Sequence, residues 1–373
     1  MGKHALLSAS ASHRWLNCPP SARLCESYDD KSSNYAAEGT DAHTLCEYKL
    51  KAVLGVSVKD PTADLSYYNE EMEECANGYA AYILELVETA KQNCSDPVVL
   101  IEQRLDFSRY VEGGFGTGDC VVIADGTLYI VDYKHGQGVL VEAEDNPQMK
   151  LYALGALEIF DGIYDIDTVS MTIYQPRRDN VSTHTVFKES LYQWAEKILR
   201  PAAELAFAGG GEFNCGEWCQ FCKAKHDCRA RAERNMELAR YDFKLPPLLT
   251  DDEVEDILDK IDNLVSWASD IKDYALQAAV SGKQWHGWKL VEGRSNRRYT
   301  NEMTVAAAVS SAGYDPYEHK VLGITAMASL LGKKQFEEVL GSYIEKPQGK
   351  PALVPESDKR PAIYTAQQDF NKF

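Results

Sequence analysis

Three charged residues at the ends of an apolar run, Asp119, Asp132 and Lys134, have the types and spacing that chemistry requires. They lie in GTGDCVVIADGTLYIVDYKHG, residues 116–136, where β-branched and apolar residues flank Asp125-Gly126. Asp-Gly between two such runs predicts a hairpin closed by a two-residue type I′ turn. A loop of that length fixes the register: the numbers of facing residues sum to 251, so Val121 faces Ile130 and Asp119 faces Asp132. Like charges placed directly opposite one another on a sheet are destabilising. A divalent cation held by both carboxylates would remove the penalty. Lys134 follows Asp132 by two and so points to the same side. The competing reading is that the strands stop short of both aspartates and leave them solvated at the rim. An acidic-x-Lys triplet alone decides nothing, because it occurs six times in the chain. Asp132-Tyr133-Lys134 differs in ending an apolar strand with a second aspartate in register.

The elements that must position these residues can be read around them. Residues 1–60 read as helices broken at Pro19-Pro20, with Thr40 as the cap of a helix from Asp41 to Lys51. A long helical pattern covers about Glu70 to Gln92, and strands begin at VVLIEQRLDF, 98–107. After the hairpin come a helix from about Pro147 to Ile159, a strand at 168–176, and a helix that ends at Gly209-Gly210-Gly211. That order predicts an α/β core with helices on the sheet faces. LPPLL, 245–249, suggests a boundary. Beyond it Thr250 and Glu253 form a capping box for a helix of nearly thirty residues, roughly 45 Å long. WHGWKLVEGRSNRRYT reads as one or two basic strands.

These residues resemble the PD-(D/E)XK nucleases, in the RecB-type branch. A G-x-x-D strand, a hairpin and D-x-K form that family's core. His43 in EGTDAH, Glu102 in VVLIEQRL, and Gln148 with Tyr152 in QMKLYAL match the branch's further motifs in order. The resemblance implies a restriction-endonuclease-like core, a central mixed sheet flanked by helices. It implies Mg²⁺ or Mn²⁺ bound by Asp119, Asp132, His43 and the Tyr133 carbonyl. The ion would activate a water and stabilise charge on the phosphate. Lys134 would position that water or take its proton, with Glu102 as the further acidic residue. Gln148 and Tyr152, one helical turn apart, would face the same site and the DNA backbone. Each supporting residue has a plainer reading when taken alone: His43 as a structural histidine, Glu102 as a solvated face, Gln148 and Tyr152 as an ordinary helical pair.

A second constellation is CGEWCQFCKAKHDCRAR, which places Cys215, Cys219, Cys222 and Cys228 within fourteen residues. The C-x2-C pair lets two thiolates converge on one metal, and four thiolates suit zinc or an iron–sulfur cluster. Resemblance to the cluster-bearing members of the branch, which include CRISPR-associated exonucleases, implies a [4Fe–4S] cluster on Cys18, Cys219, Cys222 and Cys228. That arrangement would clip the first twenty residues onto the end of the core. With Zn²⁺ instead, Cys215 replaces Cys18 and the clip disappears.

The composition, 45% hydrophobic and 26% charged, is that of a globular chain. No apolar run is long enough for a membrane span, no signal-peptide core is present, and Leu6 breaks the myristoylation pattern. The expected location is cytoplasmic, in a bacterial host. Net charge is −18, but residues 283–373 carry 13 Lys+Arg against 10 Asp+Glu, a net of +3. A nucleic-acid partner would therefore meet a local basic groove, and Arg294, Arg297 and Arg298 near Trp285 and Trp288 are candidates for single-strand binding. A solvated hairpin with core tryptophans is the alternative there.

The expected organisation is a helical region at 1–95, a nuclease core at 96–210, a Cys-rich segment at 211–244 and a mostly helical extension at 245–373. The whole chain looks like phage and prophage proteins carrying this core. The first functional expectation is a metal-dependent deoxyribonuclease, an exonuclease on single-stranded or end-frayed DNA in phage replication or recombination, working beside factors such as a single-strand-binding protein. The alternatives are a DNA-binding accessory factor with a vestigial site and a zinc-stabilised interaction module.

Overall fold

The computed structural model describes residues 5–29, 34–92, 94–238, 249–292, 299–317, 321–345 and 354. It has two compact units, Met1–Ala278 and Ala279–Phe373.

The first unit is built on a five-stranded mixed sheet: β1 Val98–Asp106, β2 Phe115–Ala124, β3 Gly126–Tyr133, β4 Ile166–Gln175 and β5 Asn180–Phe187, in that spatial order. β3 and β4 are parallel and the other neighbours antiparallel. Helices α1 Ser12–Asn17, α2 Ser21–Leu24, α3 Asn34–Val53 and α4 Glu70–Ala90 precede the sheet. Helix α5, Pro147–Phe160, is the crossover between the parallel strands. Helices α6 Lys188–Trp194 and α7 Arg200–Ala208, joined through one π turn, follow β5, and α8 Arg229–Met236 and α9 Asp251–Val280 come next.

Both sheet faces are covered, which explains the apolar run of the hairpin. Val121, Ile123, Leu128 and Ile130 pack on one side against Leu151 and Leu154 of α5 and Leu191, Leu199 and Ala203 of the α6–α7 segment. Cys120, Val122, Ala124, Val131 and Tyr133 pack on the other against Leu45 and Leu50 of α3 and Tyr79, Ile83 and Val87 of α4. The α/β class is therefore as the sequence predicts.

Several details differ. The hairpin keeps the register, with Cys120↔Val131, Val121↔Ile130, Ile123↔Leu128 and Ala124↔Thr127. Its turn is not type I′, however, since Gly126 has φ 84° while Asp125 has no positive φ. Gly126 N–H donates to Asp165 O at 2.6 Å, which ties the turn to the segment entering β4. Thr40 caps nothing: α3 begins at Asn34, and the Thr40 hydroxyl donates back to Ala36 O at 3.0 Å within the helix. β5 is a strand the sequence reading passes over, because NVSTHTVF has only Val181, Val186 and Phe187 as apolar residues, in no alternation, and lies at the sheet edge. The Thr250–Glu253 box forms, with Thr250 N–H to Glu253 Oε2 at 3.2 Å and Glu253 N–H to Thr250 Oγ1 at 3.3 Å, and α9 runs for 30 residues.

Helix α9 is tied to the Cys-rich segment. Asp270 meets Arg231 at 2.6 Å and Lys225 at 2.8 Å, and His226 stacks on Tyr274 at 4.2 Å. The division between the compact units falls near the end of α9, and of LPPLL all but Leu249 lies outside the described residues. In the second unit the described helices are α10 Glu302–Ser311, α11 Ile324–Leu331 and α12 Lys333–Leu340. Among the described residues of 285–300 no strand forms; Trp288 N–H closes a turn onto Trp285 O at 3.1 Å.

Candidate functional site

Three carboxylates stand in a row across three neighbouring strands. Ile101↔Cys120 and Gln103↔Gly118 bracket Glu102 opposite Asp119. On the other side the hairpin register brings Asp132 beside Asp119, and Asp119 Oδ2 accepts the Tyr133 backbone N–H at 2.7 Å.

The backbone is irregular here. Glu102 has φ 51°, a left-handed conformation that costs a non-glycine residue about 1–2 kcal/mol. Across it β1 changes sides, since Ile101 packs toward α3 and α4 while Leu105 packs toward α5. β2 reverses in step: Cys120 faces α3 and α4, yet a Cβ on Gly118 would meet Leu105 and one on Gly116 would lie 2.6 Å from Tyr152 Cε1. Asp119 sits at this reversal and so reaches His43 of α3, with Oδ1 3.3 Å from Nδ1. His43, Glu102 and Asp119 each offer a ligand atom within 4.8 Å of the other two.

Asp132 is buried, 3% exposed, and is handled by a second group. Lys134 Nζ lies 2.8 Å from its Oδ2, Gln148 Nε2 donates to its Oδ1 at 3.0 Å, and Lys134 Nζ donates to Gln148 Oε1 at 3.2 Å. Gln148 Nε2 also reaches the Tyr152 hydroxyl at 3.2 Å. Helix α5 can present this pair because its start is fixed. Asn146 Oδ1 accepts from the N–H groups of Gln148 and Met149, and Pro147 occupies the first turn, where no N–H is needed.

The charges strain one another. Burial and the negative charge of Asp119 push the Glu102 carboxyl up to about 7, against the pull of His43. Burial alone would lower His43, but the Asp119 carboxylate raises it to about 8. Burial raises Asp132 as well, with Lys134 opposing. Asp132 Oδ2 is buried without an aligned hydrogen bond, the Lys134 contact being close but poorly directed. One imidazole, crowded carboxylates and an orphaned buried oxygen fit a divalent cation, which would relieve all three strains.

Behind the site lies a clamp the sequence reading missed. Glu38 of α3 accepts from Arg177 at 2.9 Å and lies 3.4 Å from His135 Nε2; His135 Nδ1 meets the Tyr133 hydroxyl at 2.9 Å; Arg177 also meets Glu71 of α4 at 3.1 Å. It joins α3, which carries His43, to the end of β3, which carries Asp132. In the sequence His135 is only the residue after Lys134, and nothing in its type or spacing connects it to Glu38.

The cysteines form a second site. Cys18, Cys215, Cys219, Cys222 and Cys228 line one small cavity together with Arg14, Lys225 and Arg231. Burial and the neighbouring Cys219, Cys228 and Cys18 push the Cys215 thiol up to about 12. Convergent thiols under local positive charge fit a metal–thiolate centre, whose binding must displace their protons. All four residues of the split set are present, and Cys215 lies beside them. Cys25, which the sequence reading overlooked, touches Cys222 with Sγ atoms 3.7 Å apart.

Of the basic candidates, Arg294, Arg297 and Arg298 lie outside the described residues. Trp285 is half-buried beneath Lys283, 4.1 Å from its ring centroid, and Trp288 is 83% exposed, so it is not a core tryptophan.

A family described as "Protein of unknown function (DUF2800)" matches residues 4–361, and the chain belongs to it. A solved structure titled "Crystal structure of SSO0001" aligns at 14% identity over 52% of this chain and 98% of that one, with a TM-score of 0.24. Among the described residues no helix is long and apolar enough to cross a membrane.

Proposed function

We propose that the chain is a metal-dependent deoxyribonuclease of the PD-(D/E)XK type, an exonuclease on single-stranded DNA or DNA ends. The observation that carries this reading is the row Glu102, Asp119 and Asp132 on adjacent strands, with His43 on one end and Lys134 on the other. Like charges in line across adjacent strands are unfavourable on their own, and a bound cation would offset that cost. His43, Glu102, Asp119 and Asp132 would hold Mg²⁺ or Mn²⁺, which supplies a Lewis acid and lowers the pKa of a water. Lys134, held by Asp132 and Gln148, places a fixed positive charge where the phosphate accumulates negative charge. Gln148 and Tyr152 keep both side chains in that geometry. The cysteine cavity would hold a [4Fe–4S] cluster through Cys18, Cys219, Cys222 and Cys228. Hydrogen bonds within the chain, beside Cys18 and beside the array, support that set: Asn214 Nδ2 donates to Asn17 O at 3.2 Å, and Arg23 Nε to Phe207 O at 2.7 Å. A role in phage DNA replication or recombination accords with this activity.

The test is release of nucleotides from end-labelled single-stranded DNA with Mn²⁺, and its loss in Asp132→Ala and Lys134→Ala. Wild-type protein that leaves DNA intact with Mg²⁺ and Mn²⁺, on blunt, overhanging and single-stranded ends, would sink the reading. Separately, anaerobically purified protein should be brown; a colourless protein with one zinc would replace the cluster.

A further inference from the structure

Cys25 and Cys222 are 197 residues apart in the chain, and their Sγ atoms are 3.7 Å apart. Both are buried, 5% and 9% exposed, against Ala224, Leu24 and Tyr28. Contacts that involve neither thiol hold them there. Arg23 Nε donates to Phe207 O at 2.7 Å, two residues before Cys25, and its guanidinium lies 4.7 Å from the Phe207 ring centroid. The Tyr28 hydroxyl donates to Asp227 Oδ1 at 2.7 Å, three residues after Cys25. Cys222 also lines the cavity shared with Cys18, Cys215, Cys219 and Cys228, whereas Cys25 does not. The Cys222 sulfur therefore has two competing partners, the metal centre on one side and Cys25 on the other.

We propose that Cys25 and Cys222 are a disulfide-forming pair that closes when the metal centre is lost. The gating rests on the reading of Cys222 as a ligand of that centre. A coordinated Cys222 sulfur must give up its bond to the metal before it can pair with Cys25. Released, it needs only to close from van der Waals contact to the ~2.05 Å of an S–S bond, with both chain segments already in place. Hydrogen peroxide, small enough to enter the cavity, is the oxidant. The Cys222 sulfur attacks one peroxide oxygen, the O–O bond breaks, and a sulfenic acid forms while the departing hydroxide takes the Cys222 proton to become water. The Cys25 sulfur then attacks the sulfenic sulfur; the S–O bond breaks, and hydroxide leaves as a second water with the proton from Cys25. Two thiols are oxidised by two electrons and one peroxide is reduced to two waters. The linked protein cannot reload its centre until a reductant reopens the bond, so the pair records loss of the metal.

The full chain, purified anaerobically, would be compared in its metal-loaded form and after anaerobic stripping with a chelator. Each sample would be treated with hydrogen peroxide, alkylated, and digested without reduction for mass spectrometric mapping. The expected result is a Cys25–Cys222 cross-link at least tenfold more abundant in the stripped sample. Equal abundance in both samples would overturn the gating. Cys222 joined to Cys219 or Cys228, with Cys25 alkylated, would overturn the pair itself. Cys25→Ser should carry the same metal content and melting temperature as wild type, and after stripping and peroxide should show Cys222 as a sulfenic acid trapped by dimedone in place of the cross-link. A Cys222 that is neither trapped nor cross-linked would overturn the proposal. Metal loss from Cys25→Ser as purified would overturn the proposal by making Cys25 a ligand. Wild-type protein that never binds iron or zinc would remove the metal-centre reading and the gating together. A Cys25–Cys222 link in that same sample would still uphold the pair.

Discussion

Gln148 Oε1 accepts from Lys134 Nζ at 3.2 Å while its amide nitrogen donates to Asp132 Oδ1 at 3.0 Å. Only one orientation of the amide satisfies both partners, because an ammonium only donates and a carboxylate only accepts. Gln148 thus sets the distance between the two charges. Gln148→Leu keeps the volume and removes both bonds. If Lys134 acts on the scissile phosphate, cleavage should slow about 10–100-fold, by the magnitude usual for groups that orient metal-site residues. Single-turnover rates at saturating DNA would show the loss in kcat; an unchanged rate would mean Lys134 finds its position without help.

Metal affinity should rise with pH. His43, held at about 8, and Glu102, held at about 7, must each lose a proton before ligating. Between about pH 6 and about 8.5, Mn²⁺ binding measured by calorimetry should tighten at least tenfold, with protons released into the buffer. For the metal-free protein the linkage runs the other way. Glu102 holds its proton more tightly when folded, so its contribution to stability is full below the usual value near 4.5 and is lost as pH rises through about 7. Glu102→Gln should flatten that part of the pH–stability profile; a profile identical to wild type would contradict the raised value.

Glu38 should act on metal binding from a distance. It is the point where Arg177 and His135 converge, and it lies on the same helix as His43. In Glu38→Ala the α3 helix loses its tie to the end of β3, and Mn²⁺ affinity should fall about 10-fold or more. The ¹⁴N coupling of His43 to bound Mn²⁺, read by pulsed electron paramagnetic resonance, should weaken with it. Full coupling in a destabilised Glu38→Ala protein would reduce the clamp to a purely structural role.

Asp270 anchors α9. Its carboxylate, 13% exposed, faces Arg231 and Lys225. Burial alone would raise it, but the two cations hold it below the ordinary carboxylate range. The stabilisation is therefore present above about pH 4 and is lost as pH falls through the depressed value. Asp270→Ala strands a nearly buried guanidinium and should cost about 2–4 kcal/mol in urea unfolding at neutral pH. A loss under about 0.5 kcal/mol would show the pair to be dispensable.

The parts of this molecule that were legible in the sequence are those governed by local rules. Asp125-Gly126 gave the strand register, the spacing of Gln148 and Tyr152 gave their common side, and Thr250-x-x-Glu253 gave the start of α9. Glu102 lay at the boundary of what could be read. Its place opposite Asp119 follows from pairing, but its left-handed backbone and the reversal of both strands around it are tertiary outcomes with no local signal. Glu38, His135 and Cys25 were hidden for the same reason, since each acquires its meaning from a partner about 100 to 200 residues away. β5 was missed because its partly buried side carries the polar Asn180, Ser182 and His184, which leaves no apolar alternation to read.

The 184 residues separating Arg23 from Phe207 also set a clock on biosynthesis. At about 5–20 residues per second, the segment around Leu24 and Cys25 waits roughly 10–40 s after emerging before α7 and the cysteine array exist to receive it. The cysteine cavity therefore cannot assemble until well after the residues of the carboxylate row have been synthesised. Any metal delivered to it must arrive after Cys228 has been synthesised.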